Sequence, residues 1–251
     1  MILLVDIGNT HLRWGVWREG ALHPGGAVAR GGGEGRLREA WAGLAPPARV
    51  AVSNVGGEAA AAQVRAASLA LWGLEPRLLR PTAACAGVVN AYPRPDRLGA
   101  DRWAALLAAR ARAPQGAVVV DCGSAITVDG LDAAGRHLGG VILPGLGRMY
   151  RILAHEIGLD ALPLAEAGTE IPVTDTAPAV ANGALCAALG GLLRAAAAVE
   201  ARLGPAPARL ITGGDAVLLA PHLGPGWTLA PHLVLEGVAR WALAAEAGEA
   251  G

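Results

Sequence analysis

The chain opens on an apolar run, Ile2 to Val5, which ends in Asp6-Ile7-Gly8-Asn9-Thr10 and leads into a partly alternating run, Leu12 to Trp17. A strand, a glycine-bearing turn and a second strand predict a hairpin. Residues 20 to 48 are rich in Gly and Ala and carry one short helical patch, Leu37 to Leu44. Arg49 to Val55 reads as a buried strand that stops at Gly56-Gly57, and helical spacing predicts a helix over 58 to 72. The stretch Pro76 to Gly99 carries several prolines and reads as loop, and Asp101 to Arg112 returns to a helical pattern.

Ala113-Pro114-Gln115-Gly116 is the expected boundary, which divides the chain into 1–113 and 114–251. After it the opening theme returns: an apolar strand over Ala117 to Val120, the turn Asp121-Cys122-Gly123-Ser124-Ala125-Ile126-Thr127, and a second strand through Val128. A long helix is predicted from about Ala177 to Leu203, with Thr176 as N-cap and Pro178 in its first turn. Arg209 to Thr212 is a last strand ending at Gly213-Gly214-Asp215, and Leu235 to Ala245 is a C-terminal helix. Each half therefore begins with strand, Asp-x-Gly, hydroxyl-bearing turn and strand, and each later offers a strand that stops at a Gly pair. This recurrence predicts two related α/β lobes facing each other across a cleft.

Composition narrows the chemistry. Apolar residues make up 53% of the 251 positions, but the runs are broken by Arg, Asp, Gly or Pro before the roughly 18 residues a membrane span needs, so no membrane partner is expected. The N-terminus lacks a basic segment ahead of an apolar one, which predicts a cytoplasmic protein. The 21 basic and 21 acidic residues balance and the Arg residues are scattered, so a nucleic-acid partner is not expected. Cys85, Cys122 and Cys186 lie far apart and form no CxxC pair, and the six His residues show no paired metal spacing. The sequence contains no Lys, which excludes a P-loop and a Schiff-base nucleophile. Phosphates would have to be held by backbone NH groups, hydroxyls, Arg and metal ions.

The Asp-x-Gly turns suit that task. Glycine lets the backbone approach an anion closely, successive NH groups and a hydroxyl line a phosphate-sized concavity, and an Asp at the strand end can hold a cation or water beside it. One such turn is also what an ordinary hairpin shows; two copies at equivalent places in two halves favour the phosphate cradle. Asp101 stands in the predicted first turn of a helix, where the ionised carboxylate is favoured, directly after a Gly-Ala pair. Such a carboxylate suits the acceptance of an alcohol proton in phosphoryl transfer, and equally suits an ordinary helix start. Arg102 beside it is a candidate for a substrate carboxylate, and Tyr92, one of two tyrosines, is a candidate ligand wall.

These residues resemble the actin-like ATPase and sugar or acetate kinase superfamily, and within it the type III pantothenate kinases along almost the whole chain. The resemblance rests on Asp6-Ile7-Gly8-Asn9-Thr10, on Tyr92 with Gly99-Ala100-Asp101-Arg102, on the Asp121 to Thr127 turn, on Gly139-Gly140-Val141-Ile142-Leu143-Pro144-Gly145 and on Thr176 before the long helix. It implies two duplicated ribonuclease-H-like lobes around a nucleotide cleft, and transfer of the ATP γ-phosphoryl group to pantothenate. It also implies that Asp6, Ile7, Gly8, Asn9, Thr10, His11, Leu12 and Arg13 bind ATP, with Asp6 helping to place Mg²⁺ and Ser124 touching a nucleotide phosphate. Tyr92, Gly99, Ala100, Asp101 and Arg102 would form the pantothenate pocket with Asp101 as catalytic base. Thr176 would contact the substrate, in the same subunit or across a homodimer, and Asp121 would bind a monovalent cation, K⁺ or NH₄⁺. Arg13 and Ser124 replace the family's usual Lys and Thr; charge and hydroxyl are kept, while Arg changes the donor geometry. A non-catalytic accessory factor in transcriptional control and another kinase of the superfamily, acting on a sugar or on acetate, are the alternatives; the presence of Asp6, Asp101 and Asp121 argues against loss of catalysis.

Overall fold

A computed structural model describes residues 1–159 and 167–248, which form two compact units: Met1–Arg112 with the stretch from His232 onward, and Ala113–Pro231. In the first unit β1 (Ile2–Ile7), β2 (His11–Arg18), β3 (Ala21–Ala29), β4 (Arg49–Asn54) and β5 (Arg77–Leu78) make a sheet of order β3-β2-β1-β4-β5. β1 runs antiparallel to β2 and parallel to β4. Every residue of β1 is buried. That explains its unbroken apolar run: a central strand covered on both faces has no solvent side to alternate with. Leu37 and Trp41 of α1 (Gly33–Trp41) and Val64 and Ala67 of α2 (Glu58–Trp72) pack with Leu3, Val5, Val50 and Val52.

α3 (Ala100–Arg112) packs against α7 (Leu233–Glu246), which also lies on β1 and β4. The sequence-based division gave the C-terminal helix to the second half, but its contacts place it in the first unit. Gly237 explains how the two helices come so close: a Cβ there would overlap the Ala104 backbone carbonyl. Arg112 Nε and Nη2 each donate to the Glu236 carboxylate, at 2.6 and 2.5 Å, and Arg49 pairs with Glu246.

The second unit repeats the sheet. β8 (Ala117–Cys122), β9 (Ala125–Leu131), β10 (His137–Pro144), β11 (Ala208–Thr212) and β12 (Trp227–Leu229) stand in the order β10-β9-β8-β11-β12, with β8 antiparallel to β9 and parallel to β11. The recurrence read in the sequence is thus a recurrence of topology. Among the described residues its α-helices are α4 (Leu146–Glu156), α5 (Thr176–Glu200) and the short α6 (Ala216–Leu219). Tyr150, Leu185, Ala188 and Leu192 close the core over Val120, Ile126 and Val128.

Several elements differ from the sequence reading. β3 falls in the Gly- and Ala-rich stretch, whose residues carry little strand preference of their own; pairing with β2 along its length decides the conformation. Trp14 leaves no room for a Cβ at Gly25, so the glycine that weakened the strand signal is what lets the indole lie across β3. The proline-bearing stretch read as loop holds β5, the two-residue strands β6 (Ala84–Cys85) and β7 (Val88–Val89), and a 3₁₀ turn at Pro95–Arg97. The N-cap of α5 is Asp175, whose carboxylate accepts from Ala177 N–H at 3.3 Å; Thr176 is the first helical residue. Contrary to the expectation that every apolar run is broken early, α5 is long and apolar enough to cross a membrane by length and composition. Its Ala181, Leu185, Ala188 and Leu192 are buried in the core of the second unit, so it serves there as a packed helix.

The close helix contact fixes opposite signs for two glycine substitutions. Gly237→Ala forces α3 and α7 apart and is expected to destabilise the protein by about 1–3 kcal/mol. Gly190→Ala, on the exposed side of α5 with nothing within 4 Å of the added methyl, is expected to stabilise it by about 0.5–1 kcal/mol. Urea denaturation of both variants checks this, and equal effects would contradict the packing of α3 on α7.

Candidate active site

Asp6 is the last residue but one of the buried β1, and after Ile7 the chain leaves the sheet through the turn to His11, closed by Gly8 N–H donating to the His11 carbonyl at 3.0 Å. β4 ends beside this turn. Val55 N–H donates to the Ile7 carbonyl, and the Asn54 amide shapes the glycine pair after β4: its oxygen accepts from Gly56 N–H at 2.9 Å and its nitrogen donates to the Gly57 carbonyl at 3.2 Å. A Cβ on Gly56 would stand 2.7 Å from the Gly8 oxygen. The two glycine turns therefore touch through backbone, and no other residue type fits at position 56.

Asp6 is 7% exposed, its Oδ1 closes no hydrogen bond within the chain, and the hydroxyl of Ser53 is its neighbour on β4. Burial first, and then the charge of Asp101, push Asp6 up to about 7; Arg13, its cross-strand partner on β2, and the Ser53 hydroxyl act in the opposite direction. An orphaned buried oxygen with a neighbouring carboxylate fits a cation or a cation-bound water as its missing partner.

Asp101 occupies the first turn of α3. Its Oδ1 accepts from Arg102 N–H at 2.7 Å, and the carboxylate folds back over Gly99, where a Cβ would stand 2.6 Å from that oxygen. The Gly99 carbonyl accepts from Trp103 N–H, and Trp103 is fully buried, so the start of the helix is anchored on its inner side. Arg102 is buried rather than a surface residue: its Nη1 donates to the Tyr92 hydroxyl at 3.0 Å, and its guanidinium carbon lies 5.8 Å from the centre of the Tyr92 ring. Tyr92 is itself only half-exposed and held by its N–H donating to Asn90 Oδ1. Asp6, Arg13, Tyr92, Gly99, Asp101 and Arg102 all belong to the first unit, and the charge of Asp101 at the start of α3 acts on Asp6 beside the first turn.

The second turn repeats the plan within its own unit. Gly123 N–H donates to the Ala125 carbonyl at 2.9 Å, and Asp215 N–H donates to the Cys122 carbonyl at 2.8 Å, the counterpart of the Val55 bond to Ile7. Gly213, at φ 99°, lies so close to the Asp121 carboxylate and the Cys122 carbonyl that a Cβ would overlap both. Gly145 is pressed in the same way against the Gly123 and Ser124 backbone. Burial, then Asp121, then Asp215 raise the Cys122 thiol well above its usual range, so it stays protonated, and two carboxylates act on this turn where the sequence singled out one. Thr176 is exposed at the start of α5. Among the described residues no group of three or more His, Cys, Asp and Glu side chains gathers into a metal cluster.

Arg30, Ser53 and Asn54 adjoin the first turn without having been foreseen, while Asp215, beside the second, lies in the Gly213-Gly214-Asp215 turn that the sequence marks. Asn54 was legible in principle, since it stands beside a glycine pair at a strand end; Arg30 and Ser53 carry no such signal. A cavity of about 270 Å³, lined by Trp17, Leu22, Ala108, Arg112, Glu236 and Arg240, lies at the opposite ends of β2 and α3 from Arg13 and Asp101 and takes no part in this arrangement.

Asp6 gives the site a measurable pH signature. Between the unfolded value of 3.8 and about 7 the folded protein holds a proton that the unfolded chain has released, so this residue's contribution to stability falls as pH rises through that window. Asp6→Asn removes the penalty. Relative to the parent it is expected to gain on the order of 4 kcal/mol at pH 8 and to show no such gain at pH 4. Denaturation curves at the two pH values check this, and an unchanged difference between variant and parent would contradict it.

Residues 2–198 match the family model described as type III pantothenate kinase. The type III pantothenate kinase of Halorhodospira halophila is 42% identical over 253 residues, covering 96% of this chain and 97% of that protein. Among solved structures, a Campylobacter jejuni protein described as a Baf family transcriptional activator aligns with a TM-score of 0.60 at 22% identity, covering 94% of this chain and 95% of that one. A ROK family glucokinase from Streptomyces griseus, solved with glucose and AMPPNP, aligns with a TM-score of 0.53 at 14% identity, covering 98% and 99%. These structural likenesses show the fold, the duplicated α/β architecture of the actin-like ATPases and sugar kinases.

Proposed function

The chain belongs to the type III pantothenate kinase family, and from that premise we propose that Asp101 is the base in an ATP-dependent phosphorylation of pantothenate. The reaction gives 4′-phosphopantothenate and ADP, the first step of coenzyme A biosynthesis. The substrate hydroxyl oxygen forms a bond to the γ-phosphorus as the bond from that phosphorus to the ADP oxygen breaks, and the hydroxyl proton passes to the Asp101 carboxylate. The observation that carries this reading is the start of α3, where the Asp101 carboxylate stands next to Arg102, itself fixed on the Tyr92 hydroxyl, and acts on Asp6 beside the turn after β1.

In this reading Asp6 to Arg13 hold the ATP phosphates with backbone NH groups, the Thr10 hydroxyl and the Arg13 guanidinium, and Ser124 adds a hydroxyl from the second turn. Tyr92, Gly99, Ala100 and Arg102 shape the pantothenate pocket with Asp101. Arg102 and Tyr92 arrive already fixed on each other, so a substrate carboxylate meets a preorganised donor. Thr176 contacts pantothenate. The unpartnered Asp6 Oδ1 supports Mg²⁺ there, and the Asp121 and Asp215 carboxylates acting on the second turn support K⁺ or NH₄⁺ at Asp121. Bound at those places, the cations supply positive charge to the phosphate oxygens. The protein works in the cytoplasm as a homodimer. Exposed Val141 and Ile142 on β10, Ile152 and Leu153 on α4 and Ile157 just after it offer apolar surface for a second copy; light scattering is expected to give twice the mass of the 25.2 kDa chain, and a monomer would remove this part of the reading.

A coupled ADP-release assay with pantothenate tests the base. Asp101→Asn is expected to lower kcat by about 10²–10⁴-fold while the KM for ATP stays near the parent value. Replacing K⁺ by Na⁺ in the same assay is expected to lower the parent rate. Full activity in the variant would dismiss Asp101 as base, and equal rates in the two salts would dismiss the monovalent site at Asp121.

A further inference from the structure

We propose that Arg30 is a positioning residue for the ATP-phosphate turn, fixing both peptide planes at its tip so that their N–H groups face the phosphates and their carbonyls do not. The inference rests on the reading that Asp6 to Arg13 hold ATP phosphates.

Two bonds carry it. β3 ends at Ala29, opposite His11, and the chain then enters a 3₁₀ turn at Arg30–Gly32. Arg30 N–H donates to the Thr10 carbonyl at 3.1 Å, and the Arg30 side chain turns back so that Nη1 donates to the Asn9 carbonyl at 3.0 Å. One residue therefore takes up the two successive carbonyls of the tip. A peptide unit is planar and trans, so its C=O and the N–H of the next residue point in opposite directions. With the Asn9 carbonyl drawn to Arg30, the Thr10 N–H points away from Arg30; with the Thr10 carbonyl drawn the same way, so does the His11 N–H. Rotating either plane by half a turn would aim a carbonyl at the anion instead, and Arg30 opposes that rotation.

Charge acts in the same direction. Among the described residues Arg30 has no carboxylate partner, and its single side-chain bond is to the Asn9 oxygen. The bond is charge-assisted, and no carboxylate offsets the guanidinium at the tip of a turn that receives a polyanion. Arg13 supplies charge from the β2 side of the same turn, beside Asp6. In a chain without lysine these two guanidiniums flank the turn from its two edges, one at the start of β2 and one just past the end of β3. Arg30 escaped notice in the sequence because it lies 21 residues from Asn9 in a stretch whose strand character was invisible.

The test compares the parent enzyme with Arg30→Ala and Arg30→Lys. Each is assayed for kcat and for KM toward ATP and pantothenate, and for binding of AMPPNP and of adenosine by competition. Arg30→Ala is expected to raise the KM for ATP and to weaken AMPPNP binding by about 10-fold, the effect of losing one charge-assisted hydrogen bond. The KM for pantothenate and the binding of adenosine, which carries no phosphate, stay within about 2-fold of the parent. Arg30→Lys, which keeps the charge and one donor, is expected to recover most of the ATP affinity. The proposal is overturned if Arg30→Ala binds AMPPNP as the parent does, or if it loses adenosine and AMPPNP alike, the mark of general damage to the fold. A parent protein that binds no ATP analogue at all would overturn the nucleotide reading itself, and this result is distinguishable because it precedes any variant.

Discussion

Two carboxylates held close together, one buried at the end of a central strand and one at the first turn of a helix, are the constraint on which the first unit is organised. Asp6 cannot find a partner for its Oδ1 within the chain, and the nearby charge of Asp101 adds to the cost of ionising it. A fold optimised for stability alone would replace such a group or pair it. Such a group makes sense where a cation and a polyanion complete the site, because the same field that penalises two neighbouring carboxylates favours a cation. The penalty is local, and the scaffold that holds it is rigid. β1 is buried along its whole length, α3 is anchored through Trp103, and α7 reaches back from the C-terminal end of the chain to lie against α3 through Gly237.

The duplication gives the chemistry a common plan and then differentiates it. Each unit places a glycine-bearing turn after its central strand and presses a second glycine-bearing loop against it, Gly56 on the Gly8 turn and Gly213 on the Asp121 turn. In both contacts a backbone carbonyl stands where a Cβ would go, joined by one side chain, Ile7 at Gly56 and the Asp121 carboxylate at Gly213. The differences lie in what surrounds the turns. The first has a buried carboxylate raised by a neighbouring one and flanked by arginines. The second has Asp121 and Asp215 acting on a buried thiol, with Thr127 on β9 also buried.

The architecture was legible because it depends on features that sequence displays directly. Ile2 to Val5 and Ala117 to Val120 are unbroken apolar runs because central parallel strands are covered on both faces, and the glycine turns after them are local. The Asp101 helix and the family resemblance were legible for the same reason, being contiguous. What escaped was set by long-range contacts. β3 owes its strand conformation to β2, since its own Gly, Ala and Pro residues argue against it. α7 joined the first unit because Gly237 fits Ala104, a match that nothing in its own sequence announces. Arg102 was read as a candidate for a substrate carboxylate, but its burial and its bond to Tyr92, ten positions away across a proline-bearing loop, could not be read from the sequence. The N-cap slipped by one residue, from Thr176 to Asp175, because both residue types cap helices and only the observed bond to Ala177 N–H separates them.

The electrostatic coupling of Asp6 to Asp101 is what the proposed chemistry depends on most directly, and the measurement that tests it is a carboxyl ¹³C NMR titration of Asp6 in the ligand-free protein and in Asp101→Asn. Asp6 is expected to titrate near 7 in the parent, and its pKa is expected to fall in the variant while staying above the ordinary carboxylate range, because burial is the larger cause. An Asp6 that titrates near 4 in both proteins would contradict the coupling and the burial together.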